Sequence, residues 1–166
     1  ILCQRLANGN TLIAARNQLV EFNPKQEKVF ALARPANDIV AAGKTSDGVY
    51  VLITRTGICE QVDSQGKVIR SFNVSRPHHY SSLDLSVKNR VLMTHSNGLA
   101  EYDLETGNQE WMISGHRTLT SVQRLRGGLL LVSSTSSRRI SELDQQGKVR
   151  REIVLEDLIP WRAKRR

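Results

Sequence analysis

The chain has 166 residues, 39% of them hydrophobic and 24% charged, which is enough to bury a core without disulfide staples and is ordinary for a globular protein. No apolar run reaches the roughly 20 residues that a membrane-spanning helix needs. The net charge of +8 is spread evenly: residues 1–83 carry 10 basic and 6 acidic side chains and residues 84–166 carry 14 and 10, so only Arg162-Ala-Lys-Arg-Arg166 concentrates positive charge.

The chain opens Ile1-Leu-Cys-Gln-Arg, with no initiator methionine, basic n-region or small-residue cleavage site, and is expected to be a piece of a longer or processed chain. Cys3 and Cys59 have no second cysteine or histidine at metal-ligand spacing. Neither a zinc site nor a disulfide framework is indicated, and both thiols are expected to be buried as small hydrophobes.

Taken in chain order, the elements repeat. The first copy, about 1–35, has strands at 3–6, 11–15 and 18–22, a turn at Asn23-Pro-Lys-Gln-Glu-Lys28, and a closing strand. The second, about 36–77, runs through strands at 39–42, 49–53 and 58–62, the turn Asp63-Ser-Gln-Gly66, and an alternating strand at 67–72. The third, about 78–116, has strands at 83–86, 90–94 and 99–102 before Asp103-Leu-Glu-Thr-Gly107. The fourth, about 117–157, has strands at 121–125, 129–133 and 140–143, the turn Asp144-Gln-Gln-Gly147, and a strand at 148–153. Residues 158–166 form a basic tail.

The turn residues Asn23, Asp63, Asp103 and Asp144 each follow a short apolar strand and recur at intervals of about 40 residues. An Asx side chain accepts a hydrogen bond from backbone two residues on, and glycine supplies the positive φ that returns the chain as a hairpin. The first copy has Pro24 and no glycine, so its turn is expected to be built differently. Four short strands per 40 residues and no helical periodicity indicate an all-β protein: a β-propeller of four-stranded antiparallel blades, with four blades in this chain. A β-sandwich with accidental periodicity is the alternative. A lone arc of four blades would leave sheet faces bare, so further blades, from the parent chain or a second copy, are expected to complete a larger propeller; closure of this chain alone as a small four-bladed ring is the alternative.

Ala7-Asn-Gly-Asn-Thr-Leu-Ile-Ala14 and Asp103-Leu-Glu-Thr-Gly-Asn-Gln-Glu-Trp111 resemble the PQQ-like propeller repeats and propellers of the arylsulfotransferase type. In those families an asparagine-glycine-asparagine hairpin precedes an inner strand, and an aspartate-threonine-glycine turn precedes a docking tryptophan. Only the third copy has the tryptophan; Arg70 and Arg151 stand near the equivalent positions. With no adjacent cysteine pair and no acidic metal cluster, the resemblance does not imply the quinone, and no cofactor or metal is expected. It does imply an extracytoplasmic location, on which the residues themselves are silent.

Innermost strands line a propeller's channel, and the loops that lead into them form one rim. Those loops read Pro35-Ala-Asn-Asp38, Pro77-His-His-Tyr80 and Gly115-His-Arg-Thr118, so Asp38, His79, Tyr80, His116 and Arg117 are the candidate binding residues, with none assigned as catalytic. The resemblance to arylsulfotransferases implies a histidine nucleophile beside cationic groups that stabilise a sulfuryl oxyanion. The residue types are present and a nucleophile motif is not. The reading is therefore a non-enzymatic propeller module, a rigid scaffold for a protein or small ligand; an arylsulfotransferase-like enzyme and an electrostatic nucleic-acid binder using the basic tail are the alternatives. His95 is expected in a loop, Ser133-Ser-Thr-Ser-Ser-Arg-Arg139 in a solvated hairpin, and Trp161 docked on the last blade.

Overall fold

The computed structural model describes residues 2–165. Ile1, and the last charge of the basic tail at Arg166, lie outside the described residues. The chain divides into two compact units, residues 1–74 and 75–166.

The first unit holds two antiparallel four-stranded sheets. One is ordered β1(Leu2–Arg5), β2(Thr11–Ala15), β3(Gln18–Phe22), β4(Lys28–Ala33); the other is β5(Ile39–Lys44), β6(Tyr50–Thr54), β7(Ile58–Val62), β8(Val68–Asn73). Each strand pairs with the next in sequence, as consecutive hairpins require. Between the sheets Leu12, Leu19, Phe30, Ile39, Ala42, Tyr50 and Leu52 form one buried cluster, in which the rings of Phe30 and Tyr50 stack with centroids 3.9 Å apart.

The second unit repeats the plan with β9(Leu83–Asp84), β10(Arg90–His95), β11(Gly98–Asp103), β12(Gln109–Ser114), then β13(Leu119–Arg124), β14(Leu130–Ser134), β15(Arg139–Leu143), β16(Val149–Val154). Its core joins Leu92, Leu99 and Ile113 to Leu119, Val122, Leu130 and Leu143, with Trp111 packed against them. The fold is therefore all-β and built of four-stranded antiparallel blades, with strand bounds within a few residues of those the repeat predicts and no helix among the described residues.

The turns behave as the Asx rule requires. Asp63 Oδ1 accepts from the amides of Gln65 and Lys67, and Asp144 Oδ1 from those of Gln146 and Lys148, while Gly66 and Gly147 take φ of 83° and 81°. The first copy is a correction. Asn23 Oδ1 accepts from the amides of Lys25 and Glu27, and Gln26 adopts φ 66° where the other copies place glycine. The same turn forms there, with a side chain held in the left-handed region.

Two burial expectations also change. Cys59 is buried in β7, but Cys3 is exposed on β1, an outward position of a short strand. His95 is no loop residue: it ends β10 and is buried.

Candidate functional site

The blades are fastened by a repeated ion pair. In the first unit Glu21, on β3 and 1% exposed, accepts from Lys44 Nζ at 2.7 Å, Tyr50 Oη at 2.7 Å and Asn10 Nδ2 at 2.6 Å. Burial alone would raise its pKa, but these hydrogen bonds and the Lys44 charge outweigh it and hold the carboxyl below its ordinary range. The same carboxylate pushes the Tyr50 hydroxyl, already raised by burial, further above its ordinary value. In the second unit Glu101 stands at the matching register and binds the guanidinium of Arg124 and Trp111 Nε1, the latter at 2.7 Å. Phe30 and Trp111 are the partners of Glu21 and Glu101 across the outer strand pair, whereas Arg70 and Arg151 hold that position in the other blades. A uniform tryptophan girdle is indeed missing.

Of the candidate residues, Asp38 lies in the first unit, where it receives Arg34 through Nε at 3.1 Å and Nη2 at 2.7 Å; Arg34 Nη1 continues to Glu60 at 2.9 Å. The Arg34 hydrogen bonds lower the Asp38 pKa against the opposing effect of burial. The pair ties the loop before β5 to β7, and Asp38 is half-buried within it.

The other four lie in the second unit and do not form one cluster. His79 is exposed. Its neighbour His78, which the sequence reading passed over, is the ring built into the loop. Its Nε2 faces the Leu119 carbonyl at 2.6 Å and its Nδ1 faces the Tyr80 amide at 3.0 Å. A carbonyl only accepts and an amide only donates, so the Nε2–H tautomer satisfies both. Tyr80 is thereby aimed outward and meets Trp161 edge-on, with centroids 4.7 Å apart and an interplanar angle of 77°. Both rings are 54% exposed, and Leu158 and Ile159 beside Trp161 in sequence are 65% and 52% exposed.

His116 is separate: its Nε2 bonds the Gly147 carbonyl at 3.1 Å, on the β15–β16 turn. Arg117 is exposed, and its carbonyl accepts from Thr118 Oγ1 and Ser134 Oγ. The next residue, Thr118, has φ 56°, a strained conformation for a β-branched side chain.

The tail does not run free. Thr120 Oγ1 donates to the Pro160 carbonyl at 3.3 Å, Ser121 Oγ accepts from the Ala163 amide at 3.1 Å, and Gln123 exchanges two hydrogen bonds with the backbone of Arg165. Arg165 Nη1 reaches Glu142 at 3.1 Å. Trp161 was expected on the last blade, but its ring is 54% exposed and meets Tyr80 of the loop before β9, in the third blade. The signal that could have found the Arg165–Glu142 pair is the cation spacing, since Arg124 and Arg165 are a repeat apart. Among the described residues no group of three or more His, Cys, Asp or Glu side chains is placed to hold a metal ion.

No protein-family model matches the chain, and no curated protein matches it. Solved structures do. The WD40 β-propeller domain of Doa1 superposes with TM-score 0.76 at 15% identity over 94% of this chain and 54% of that one. The fold is that of a β-propeller. Virginiamycin B lyase from Staphylococcus aureus gives TM-score 0.71 at 12% identity, covering 93% of this chain and 55% of that one. BamB from Moraxella catarrhalis gives 0.65 at 19%, covering 93% and 48%. At these identities the likeness is one of fold alone, and this chain spans about half the length of each of these three structures.

Proposed function

We propose that this chain is a non-catalytic propeller module, a rigid scaffold that binds a protein through the aromatic pair Tyr80 and Trp161. The observation that carries this reading is the exposure of two packed rings, each 54% open, with Leu158 and Ile159 exposed beside Trp161 in sequence. Exposed aromatic side chains on fixed segments are what protein recognition uses, because they bury large areas with little rotamer loss. The Tyr80 loop is held by His78, and the tail backbone on either side of Trp161 by Thr120 and Ser121, so little ordering remains to be done on binding.

Sulfuryl transfer on the arylsulfotransferase pattern is the weaker reading. It needs an accessible histidine nitrogen with cations gathered around it, whereas Nε2 of His116 is bonded to the Gly147 carbonyl, the unpartnered Nε2 of His95 is buried, and His79 is exposed with no ion pair to orient it among the described residues. The resemblance to PQQ-like repeats bears on the blade pattern and adds no chemistry. Nucleic-acid binding through the tail loses support because Arg165 is paired with Glu142 and the tail backbone lies on the fourth blade. Completion by further blades remains part of the proposal.

A selection of phage-displayed peptides on the immobilised chain tests it. Selected peptides should lose at least tenfold in affinity for Tyr80→Ala and Trp161→Ala, with the unfolding midpoint unchanged. Peptides that bind both variants as well as the native chain would rule this surface out.

A further inference from the structure

The contacts between the tail and the fourth blade repeat, atom type for atom type, those that join the innermost strands of the third and fourth blades. The Val122 amide donates to Ser82 Oγ at 2.9 Å and the Arg124 amide to Asp84 Oδ2 at 3.0 Å. One repeat later the Ala163 amide donates to Ser121 Oγ at 3.1 Å and the Arg165 amide to Gln123 Oε1 at 2.8 Å. Ser82 and Ser121 correspond by register, as do Asp84 and Gln123, which pair with Leu92 and Leu131. The side chains follow suit, with Arg165 on Glu142 as Arg124 is on Glu101 and Lys44 on Glu21. We infer that residues 160–165 occupy the innermost-strand position of a further blade, and that the face of the fourth blade beside them is the seat of that blade's three outer strands.

The seat is present as an open groove of about 510 Å³, lined by Leu131, Ile140, Glu142, Arg151 and Ile153 on one side and residues 162–165 on the other. By register the first four correspond to Leu12, Leu19, Glu21 and Phe30, which the second blade covers almost completely. On the fourth blade Arg151 is exposed and Ile153 is 49% exposed, so this face is an interblade surface only part-covered. The alternation of bonded amides at 163 and 165 directs the Lys164 amide the opposite way, where a second strand would pair with it. The occupant is therefore an antiparallel β-meander of propeller type. Its first strand pairs with residues 160–165 and places over Arg151 the side chain at the register held by Tyr50 in the second blade and Leu130 in the fourth.

Amide hydrogen exchange tests both halves. In the chain itself the amides of Ala163 and Arg165 should exchange at least tenfold more slowly than that of Lys164, with Ser121→Ala and Gln123→Ala each removing the protection at its own partner. Coil-like exchange at both amides would overturn the strand assignment. A chain in which a copy of residues 45–74 follows Arg165, in place of Arg166, puts the copied strands in the register they have after Lys44. Lys164 should then be slowed about 100-fold or more in a monomer. Unprotected copied strands and an unchanged Lys164 would overturn the seat. So would a native chain that already protects Lys164 by dimerising, because the occupant would then be a second copy.

Discussion

The Lys44 ammonium stands 2.7 Å from the Glu21 carboxylate, and the two residues belong to adjacent blades of the first unit. Glu21 is almost wholly buried, so the pair acts as a fastener whose loss on one side leaves a charge in a dry interface. Lys44→Met is expected to destabilise by about 3 kcal/mol, and Glu21→Gln with Lys44→Met by clearly less, because the second change removes the stranded charge. Urea unfolding of the three proteins measures this. Equal losses for the single and double variants would contradict it.

Acid should release the same fastener. The folded pKa of Glu21 lies below its ordinary value of 4.5, so its contribution to stability is fully present above about pH 4.5 and is lost as pH falls through the folded value. The urea midpoint of the native chain should therefore drop below pH 4.5 more steeply than that of Glu21→Gln.

His95 supplies a second, separate window. It is buried at the end of β10 and accepts from the Asn97 amide through Nδ1, while its Nε2 has no hydrogen-bond partner among the described residues. Burial lowers its pKa below the ordinary 6.5, so the unfolded chain takes up the proton first. The stability that neutral His95 provides is present above pH 6.5 and lost as pH falls through the folded value. His95→Asn should flatten the change in midpoint between pH 7 and pH 5, whatever its effect at pH 7.

The Asx turns make a graded prediction. Gly66→Ala adds a methyl in a left-handed turn with only Leu32 Cδ1 nearby, at 3.8 Å, and should cost about 1 kcal/mol. Gly147→Ala should cost visibly more, since its methyl would lie 2.6 Å from Ile113 Cγ2. Gln26→Gly relieves the same conformation and should stabilise by about 0.5 kcal/mol. Thermal midpoints in the order Gln26→Gly, native, Gly66→Ala, Gly147→Ala are expected; a reversed order of the two alanine variants would refute the steric argument.

The two thiols should react unequally. Cys3 is exposed, whereas Cys59 is buried and its thiol is pushed up to about 12 by burial, with a smaller effect of Glu60. A maleimide should label one site in the native chain and two in denaturant, and peptide mapping should place the native label on Cys3.

The blade pattern was legible because it is local. Period-two strands and an Asx turn every 40 residues need only neighbours in sequence, and the turns opened by Asp63 and Asp144 form where expected. The Gln26 turn was misread because glycine was taken as required, when the Asn23 bonds to Lys25 and Glu27 hold the turn with a side chain in the left-handed region. Cys3 and His95 were misread because burial depends on which face a neighbouring blade covers, and a single strand's pattern does not carry that.

The site depended more heavily on tertiary structure. Asp38, His79, Tyr80, His116 and Arg117 were chosen from their loops, but the fold decided that His78 would anchor its loop and that Tyr80 would meet Trp161, 81 residues away. Composition and spacing by themselves determined an all-β chain of four repeated blades. Which carboxylate is buried, which aromatic is exposed, and where the basic tail lies were decided only when the blades packed, because those properties belong to pairs of surfaces from distant repeats.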